Sequence, residues 1–138
     1  MAQTQTVTDT GIQELMKLGA EIAATGVESI VGLNMATPCT AAAASTFADP
    51  ADTAAHHTDG GLDIVAADTV ANSTTNTADD TIEVDHVFTA SGTKNMAGFH
   101  ICNNDDDVTF MECCYNAVLA MENTDTNTIN AKMVVDQA

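Results

Sequence analysis

Three of the four cysteines, a histidine and a run of acids fall between His100 and Ala117, in the stretch HICNNDDDVTFMECCYNA. His100, Cys102, Cys113 and Cys114 are residue types that hold zinc or exchange electrons, and Asp105, Asp106 and Asp107 are types that hold calcium or magnesium. Spacing separates those chemistries from a plain hairpin. If Asn104 to Asp107 close a regular hairpin, Cys102 faces Thr109 and Cys113 lies opposite Gly98. Roughly 10 Å or more of strand then separates Cys102 from Cys113, beyond the ~7 Å limit for a disulfide. Cys113 and Cys114, as strand neighbours, project from opposite faces and do not readily chelate one metal together. Neither C-x-x-C spacing nor an EF-hand loop with its central Gly and closing Glu is present. A zinc site made of His100, Cys102 and one of Cys113 or Cys114 would need a bulge to assemble. The expectation is small buried thiols in a β core. For NNDDD it is a solvated turn, with Asp105, Asp106 and Asp107 binding Ca²⁺ or Mg²⁺ weakly at most.

The remaining histidines add little chemistry. His56 and His57 lie beside Asp59 in a long irregular stretch, where exposed histidines usually have neither a metal nor a pH role. His86 alternates into the face formed by Ile82, Val84 and Phe88, as a core or strand-end histidine would. The sequence contains no nucleophile elbow, no phosphate-binding glycine loop and no cysteine–histidine pair at a telling spacing. No enzyme and no firm cofactor are expected.

Charge and composition narrow the partners. The 138 residues include 20 acids, three lysines and no arginine, for a formal charge of −17. Such a chain repels a nucleic-acid backbone and suits salty surroundings, hydrated cations or a basic partner. No stretch approaches the ~18 apolar residues of a membrane span, and MAQTQTVTDTG lacks the basic and apolar regions of an export signal. Uneven cysteine spacing argues against a disulfide framework and for a reducing site of synthesis. With 45% hydrophobic residues, 4% aromatics and no Trp, a core can form but stays thin, so contacts between copies would supplement it.

Hydrophobic spacing supplies the elements. Ile12, Leu15, Met16 and Ile22 fall at helical intervals behind a capping-box pattern at Thr10, which predicts an amphipathic helix over residues 10–23. Strands are expected at 27–33, 62–70, 81–88, 96–102, 108–119 and 129–135, separated by polar turns. Between them, residues 35–61 mix Ala, Thr and Asp with both prolines and show no period, the pattern of a long surface arm or loop. The fold expected is a single mainly β domain over 1–138, an antiparallel β-sandwich or small barrel with one N-terminal helix. Assembly contacts are placed on Pro38, Phe47 and Pro50 of the arm and on Ile12, Leu15, Met16 and Ile22 of the helix.

TDTG leading into a helix, then ESIVGLNMATP, VDHVFTASGTKNMAGFHICN and NAVLAMENTDTNTINAKMVV, resembles small structural proteins of tailed viruses. In that family a strand ending in F-T-A-S-G is followed by a strand, a hairpin, an apolar strand, a polar turn and a terminal strand. Phe88-Thr89-Ala90-Ser91-Gly92 matches the first signature, and Asp125 in Glu122-Asn123-Thr124-Asp125-Thr126 falls at the turn aspartate. Ala97-Gly98-Phe99-His100 replaces the family's Glu-x-Gly, and the segment after Gly32-Leu33 is longer than usual. The resemblance implies a tail-associated, capsid-decoration or turret subunit, synthesised in a host cytoplasm and carried in the virion. Such a subunit associates with itself and docks on a major capsid or tail protein, with no catalytic residues. A cation-dependent surface or adhesion module of a salt-adapted cell is the alternative, and a small metal or redox protein using the cysteine hairpin a third.

Overall fold

The computed structural model describes residues 3–12, 26–75, 81–103 and 108–134. The expected mainly β, antiparallel architecture is what they form. In chain order the strands are β1 (Thr4–Val7), β2 (Ser29–Asn34), β3 (Ala55–His56), β4 (Val65–Ala66), β5 (Thr69–Ser73), β6 (Thr81–Thr89), β7 (Lys94–Cys102), β8 (Thr109–Met121) and β9 (Thr126–Val134). Six build one sheet in the order β1-β8-β7-β2-β3, with β4 also pairing with β2; the other three build a second sheet, β5-β6-β9. Among the described residues no strand pairing joins the sheets into a closed barrel. Residues 9–12 form a helical turn, and the rest of the helix expected over 10–23 lies outside the described residues.

Burial follows the alternation in the second sheet. Val84, His86 and Phe88 of β6 point inward while Glu83, Asp85 and Val87 are half-buried or exposed. In β9, Ile129, Ala131 and Met133 are buried and the residues between them are exposed. Val84, Phe88, Ile129, Ala131 and Met133 share one hydrophobic cluster with Ile30, Ile101, Phe110, Met111 and Cys113 of the six-stranded sheet. Strands β7 and β8 behave differently. Met96 to Cys102 and Thr109 to Glu112 are buried on both faces, which is why they read as apolar runs rather than alternations.

The second face of β7 and β8 is covered by residues 35–61. That stretch is a surface loop, but it does not reach outward as an arm. It folds back on the six-stranded sheet, ends in a 3-10 turn at Ala51–Thr53 and pairs along the edge of β2 through β3. A second cluster of Leu33, Cys39, Ala54, Ala97 and Cys114 lies beneath it. Here Cys39 and Cys114 form a disulfide with their Cα atoms 5.4 Å apart. This corrects the expectation of four free thiols; Cys102 and Cys113 are indeed free and buried. Spacing could not reveal the bond, because its partners are 75 residues apart and meet only when the segment folds back.

The strand expected over 62–70 is two strands. β4 pairs with β2 in one sheet and β5 with β6 in the other, so the chain crosses between sheets at Ala67 and Asp68. Ahead of this crossing, Gly60 and Gly61 turn with φ of 78° and 77°, and a Cβ on Gly61 would overlap the Thr89 carbonyl.

The disulfide closes a long loop of the unfolded chain. Its reduction, or Cys39→Ser, is expected to cost about 3–4 kcal/mol of unfolding free energy. Urea unfolding with and without reductant checks this, and coincident midpoints would show that the bond does not stabilise the fold.

Candidate functional site

The most concentrated chemistry lies under the folded-back segment, on the outer face of the six-stranded sheet. His100 on β7 and Glu112 on β8 are direct cross-strand partners, with His100 Nε2 2.7 Å from Glu112 Oε1. Both side chains have no exposed surface. The overlying segment supplies the remaining donors: the Ala51 amide to Oε1 at 2.9 Å, the Ala42 amide to Oε2 at 2.9 Å and Ser45 Oγ to Oε2 at 2.8 Å. The carboxylate thus accepts four hydrogen bonds, the arrangement that a buried negative charge requires.

On its other side His100 Nδ1 lies 2.9 Å from His56 Nε2 and 3.2 Å from Thr109 Oγ1. The two ring nitrogens of His100 thus link Glu112 on one side to His56 and Thr109 on the other, with donor and acceptor roles set by the tautomer. The His56 ring meets His100 edge-on at 4.8 Å and stacks at a tilt on Phe47 at 4.2 Å. Burial, then the neighbouring His100, lowers the His56 pKa to about 4. For Glu112, burial pushes upward, but the bonds from His100, the Ala51 and Ala42 amides and Ser45 outweigh it and hold the carboxyl at about 2.

Thr109, His100 and Glu112 follow the hydrogen-bonding order of a nucleophile–base–carboxylate triad. All three are 0% exposed, so as folded the trio meets no substrate. His56 lines a polar surface hollow of about 290 Å³ together with His57, Asp59 and Lys94. What the arrangement does is clamp residues 42–51 onto the sheet.

The metal and redox candidates are dispersed. His100 is engaged by Glu112, Cys102 Sγ approaches the Ser29 carbonyl at 3.6 Å, and Cys114 is in the disulfide. Cys113 faces the shared core instead, where burial raises its thiol pKa to about 11, with Gln3 Nε2 2.6 Å away. Among the described residues no group of three or more His, Cys, Asp or Glu is arranged to hold a metal. Asp105, Asp106 and Asp107 lie outside the described residues, as do Leu15, Met16 and Ile22. Of the other expected contact residues, Ile12 and Pro38 are exposed, and Phe47 and Pro50 are half-buried. His86 is buried as expected, edge-on to Phe88, with Nδ1 3.3 Å from Asp68 Oδ2 but not in hydrogen-bonding geometry.

No protein-family model, curated protein or solved structure matches the chain. Among the described residues no helix is long and apolar enough to cross a membrane.

Glu112 was not singled out by sequence, although a signal existed. A lone carboxylate inside the apolar run TFMECC must find partners if that strand is buried. The regular hairpin register also placed Cys113 opposite Gly98, whereas the structure pairs Cys113 with Phe99 and Gly98 with Cys114, because the register shifts between Ile101 and Cys102. That slip of one residue hid the His100–Glu112 pair.

Glu112→Gln puts an amide NH₂ among donors and is expected to cost about 3–5 kcal/mol, read from urea unfolding at neutral pH. The pH dependence follows from the two lowered pKa values. Glu112, ordinarily 4.5, contributes fully above that pH and loses its contribution as pH falls toward about 2. His56, ordinarily 6.5, binds its proton more readily unfolded, so its contribution falls from pH 6.5 toward about 4. The unfolding midpoint should therefore be level above about pH 6.5 and decline continuously below it. A midpoint unchanged between pH 6.5 and 3 would contradict the network.

Proposed function

We propose that the chain is a structural subunit of a tailed-virus particle, self-associating and docking on a neighbouring capsid or tail protein, without catalysis. In this reading its two antiparallel sheets face each other as a β-sandwich around their shared core. The observation that carries the proposal is the meeting of the two segments behind the family resemblance. The Ala90 amide donates to the Asp125 carbonyl at 2.9 Å and the Thr124 amide to the Ala90 carbonyl at 2.8 Å. Asp125 Oδ2 also accepts the Glu122 amide at 2.8 Å, shaping the turn in which Thr124 has φ of 75°. Signatures some thirty residues apart therefore act as one loop junction, where the family order of strands and turns would need them.

Two further features support this reading. His100, Glu112, Cys102, Cys113 and Cys114 are buried within the fold, which leaves the surface around them for contact. A disulfide also persists best in oxidising surroundings, and a particle outside its host cell meets them. Pro38 and Phe47 are offered to a neighbour from a segment held in place, so docking there requires little ordering of the chain.

Peptide mass spectrometry on density-gradient fractions of nuclease-treated particles tests the proposal: the chain should co-migrate with a shell or tube protein at fixed stoichiometry. Its absence from particles while abundant in cells overturns the reading, and recovery from the cell envelope would favour the cation-dependent surface module. Copies of a −17 subunit repel one another, so self-association is expected to strengthen with ionic strength. Sedimentation at low and high salt checks this, and indifference to salt would remove the acidic surface from control of assembly.

A further inference from the structure

The four sheet edges are unequal. In the six-stranded sheet the outer strands are β1, of four residues, and on the other side the two-residue β3 and β4. In the second sheet β5 has five residues, whereas β9 has nine. β9 pairs with β6 at every residue from Thr126 to Val134 without a register shift, and among the described residues no strand pairs with its outer edge.

Natural sheets protect an edge by keeping it short, bulged, proline-bearing or charged. β9, TNTINAKMV, is long and regular, lacks proline and carries one charge, Lys132, whose Nζ lies 2.6 Å from Glu83 Oε1. It also borders an open cleft of about 690 Å³, lined by Gln3, Gln5, Tyr115 and Asn127 among others. Among the described residues, none that lines it is Asp or Glu, although 12 acids are among them. A basic partner would seek the acidic surfaces. A second acidic chain can approach closely only where acids are missing, and this is such a place.

We infer that β9 is a self-pairing edge, joining the β9 of a second copy in antiparallel fashion across a two-fold axis so that two three-stranded sheets become one of six. Antiparallel pairing centred on Asn130 sets Thr128 of one copy opposite Lys132 of the other, and Ile129 opposite Ala131. Like charges are nowhere directly opposed. Thr126, Thr128, Asn130 and Lys132 are exposed on one face, while Ile129, Ala131 and Met133 extend the apolar layer beside the cleft. The symmetry is that of a closed dimer. The inference rests on the self-association reading above for the identity of the partner, and on the edge geometry for the surface.

Reversing the sign of one charge separates this geometry from a net-charge effect. Thr128→Lys places a lysine opposite Lys132 of the second copy, while Thr128→Asp places an acid there. By symmetry each pair occurs twice, so at about 0.15 M salt Thr128→Lys should weaken dimerisation by about tenfold and Thr128→Asp should tighten it. If net charge governed association, the order would reverse, since lysine moves the formal charge of −17 toward zero and aspartate moves it away. Analytical ultracentrifugation of the full chain gives the dissociation constants, and circular dichroism and thermal melting confirm that the variants fold. Ala71→Lys on β5, at the opposite edge, should follow the small net-charge trend and produce no tenfold loss. A wild-type dimer whose affinity follows net charge, or ignores position 128, overturns the β9 edge and leaves self-association standing. A wild-type chain that stays monomeric at every concentration and salt overturns both.

Discussion

An ionised carboxylate with no exposed surface constrains everything around it. Its transfer from water costs several kcal/mol, and only a full set of donors in good geometry offsets that. Glu112 takes one donor from the adjacent strand and three from residues 42–51, some sixty to seventy residues away in sequence. The position of the covering segment is thereby dictated from beneath. Two residues further along β8, on the same face, Cys114 bonds to Cys39 just ahead of that segment. The two fastenings act on different states. Hydrogen bonds to Glu112 stabilise the folded arrangement, while the disulfide restricts the unfolded chain, so neither duplicates the other.

The parts of this architecture that sequence displayed are those governed by local periodicity. β6 and β9 alternate because one face meets the core and the other water, and Ile82 to Phe88 announced it. β7 and β8 were recognisable as strands from their apolar content, though the cause of that content, cover on both faces, was not. The opposing placement of Cys113 and Cys114 followed from the two-residue repeat and holds in the structure. What failed depended on partners distant in sequence. Residues 35–61 have no period because their conformation answers to Glu112 and to the edge of β2 rather than to their own side chains. Leu62 to Val70 looked like one strand because a crossing between sheets leaves no local mark. The His100–Glu112 pair required the register to one residue, which a bulge altered.

The covering segment also accounts for the inequality of the two sheets. It shields the outer face of the six-stranded sheet, and its continuation through β3 and β4 occupies the free edge of β2. The three-stranded sheet receives no such cover among the described residues. Its outer face therefore carries polar residues such as Asp85, Thr128, Asn130 and Lys132, with Asn130 bonded to Asp85 and Lys132 to Glu83.

Charge is distributed to match. Among the described residues Glu112 is the carboxylate taken wholly into the interior, where its neighbours hold it ionised; the other acids keep contact with solvent. A strongly acidic chain can fold compactly on these terms, because each exposed acid retains its hydration and the single buried one is fully bonded. The same distribution limits what the outside can meet. The net charge of −17 attracts cations or a basic partner, while the cleft beside β9 is lined, among the described residues, by amides, a hydroxyl-bearing ring, apolar side chains and Lys132, without an acid. Backbone groups on an open strand edge are satisfied equally well by water or by another strand. What favours another strand is the scarcity of charge to desolvate, a single lysine at Lys132, and that scarcity follows from the sequence of β9 itself.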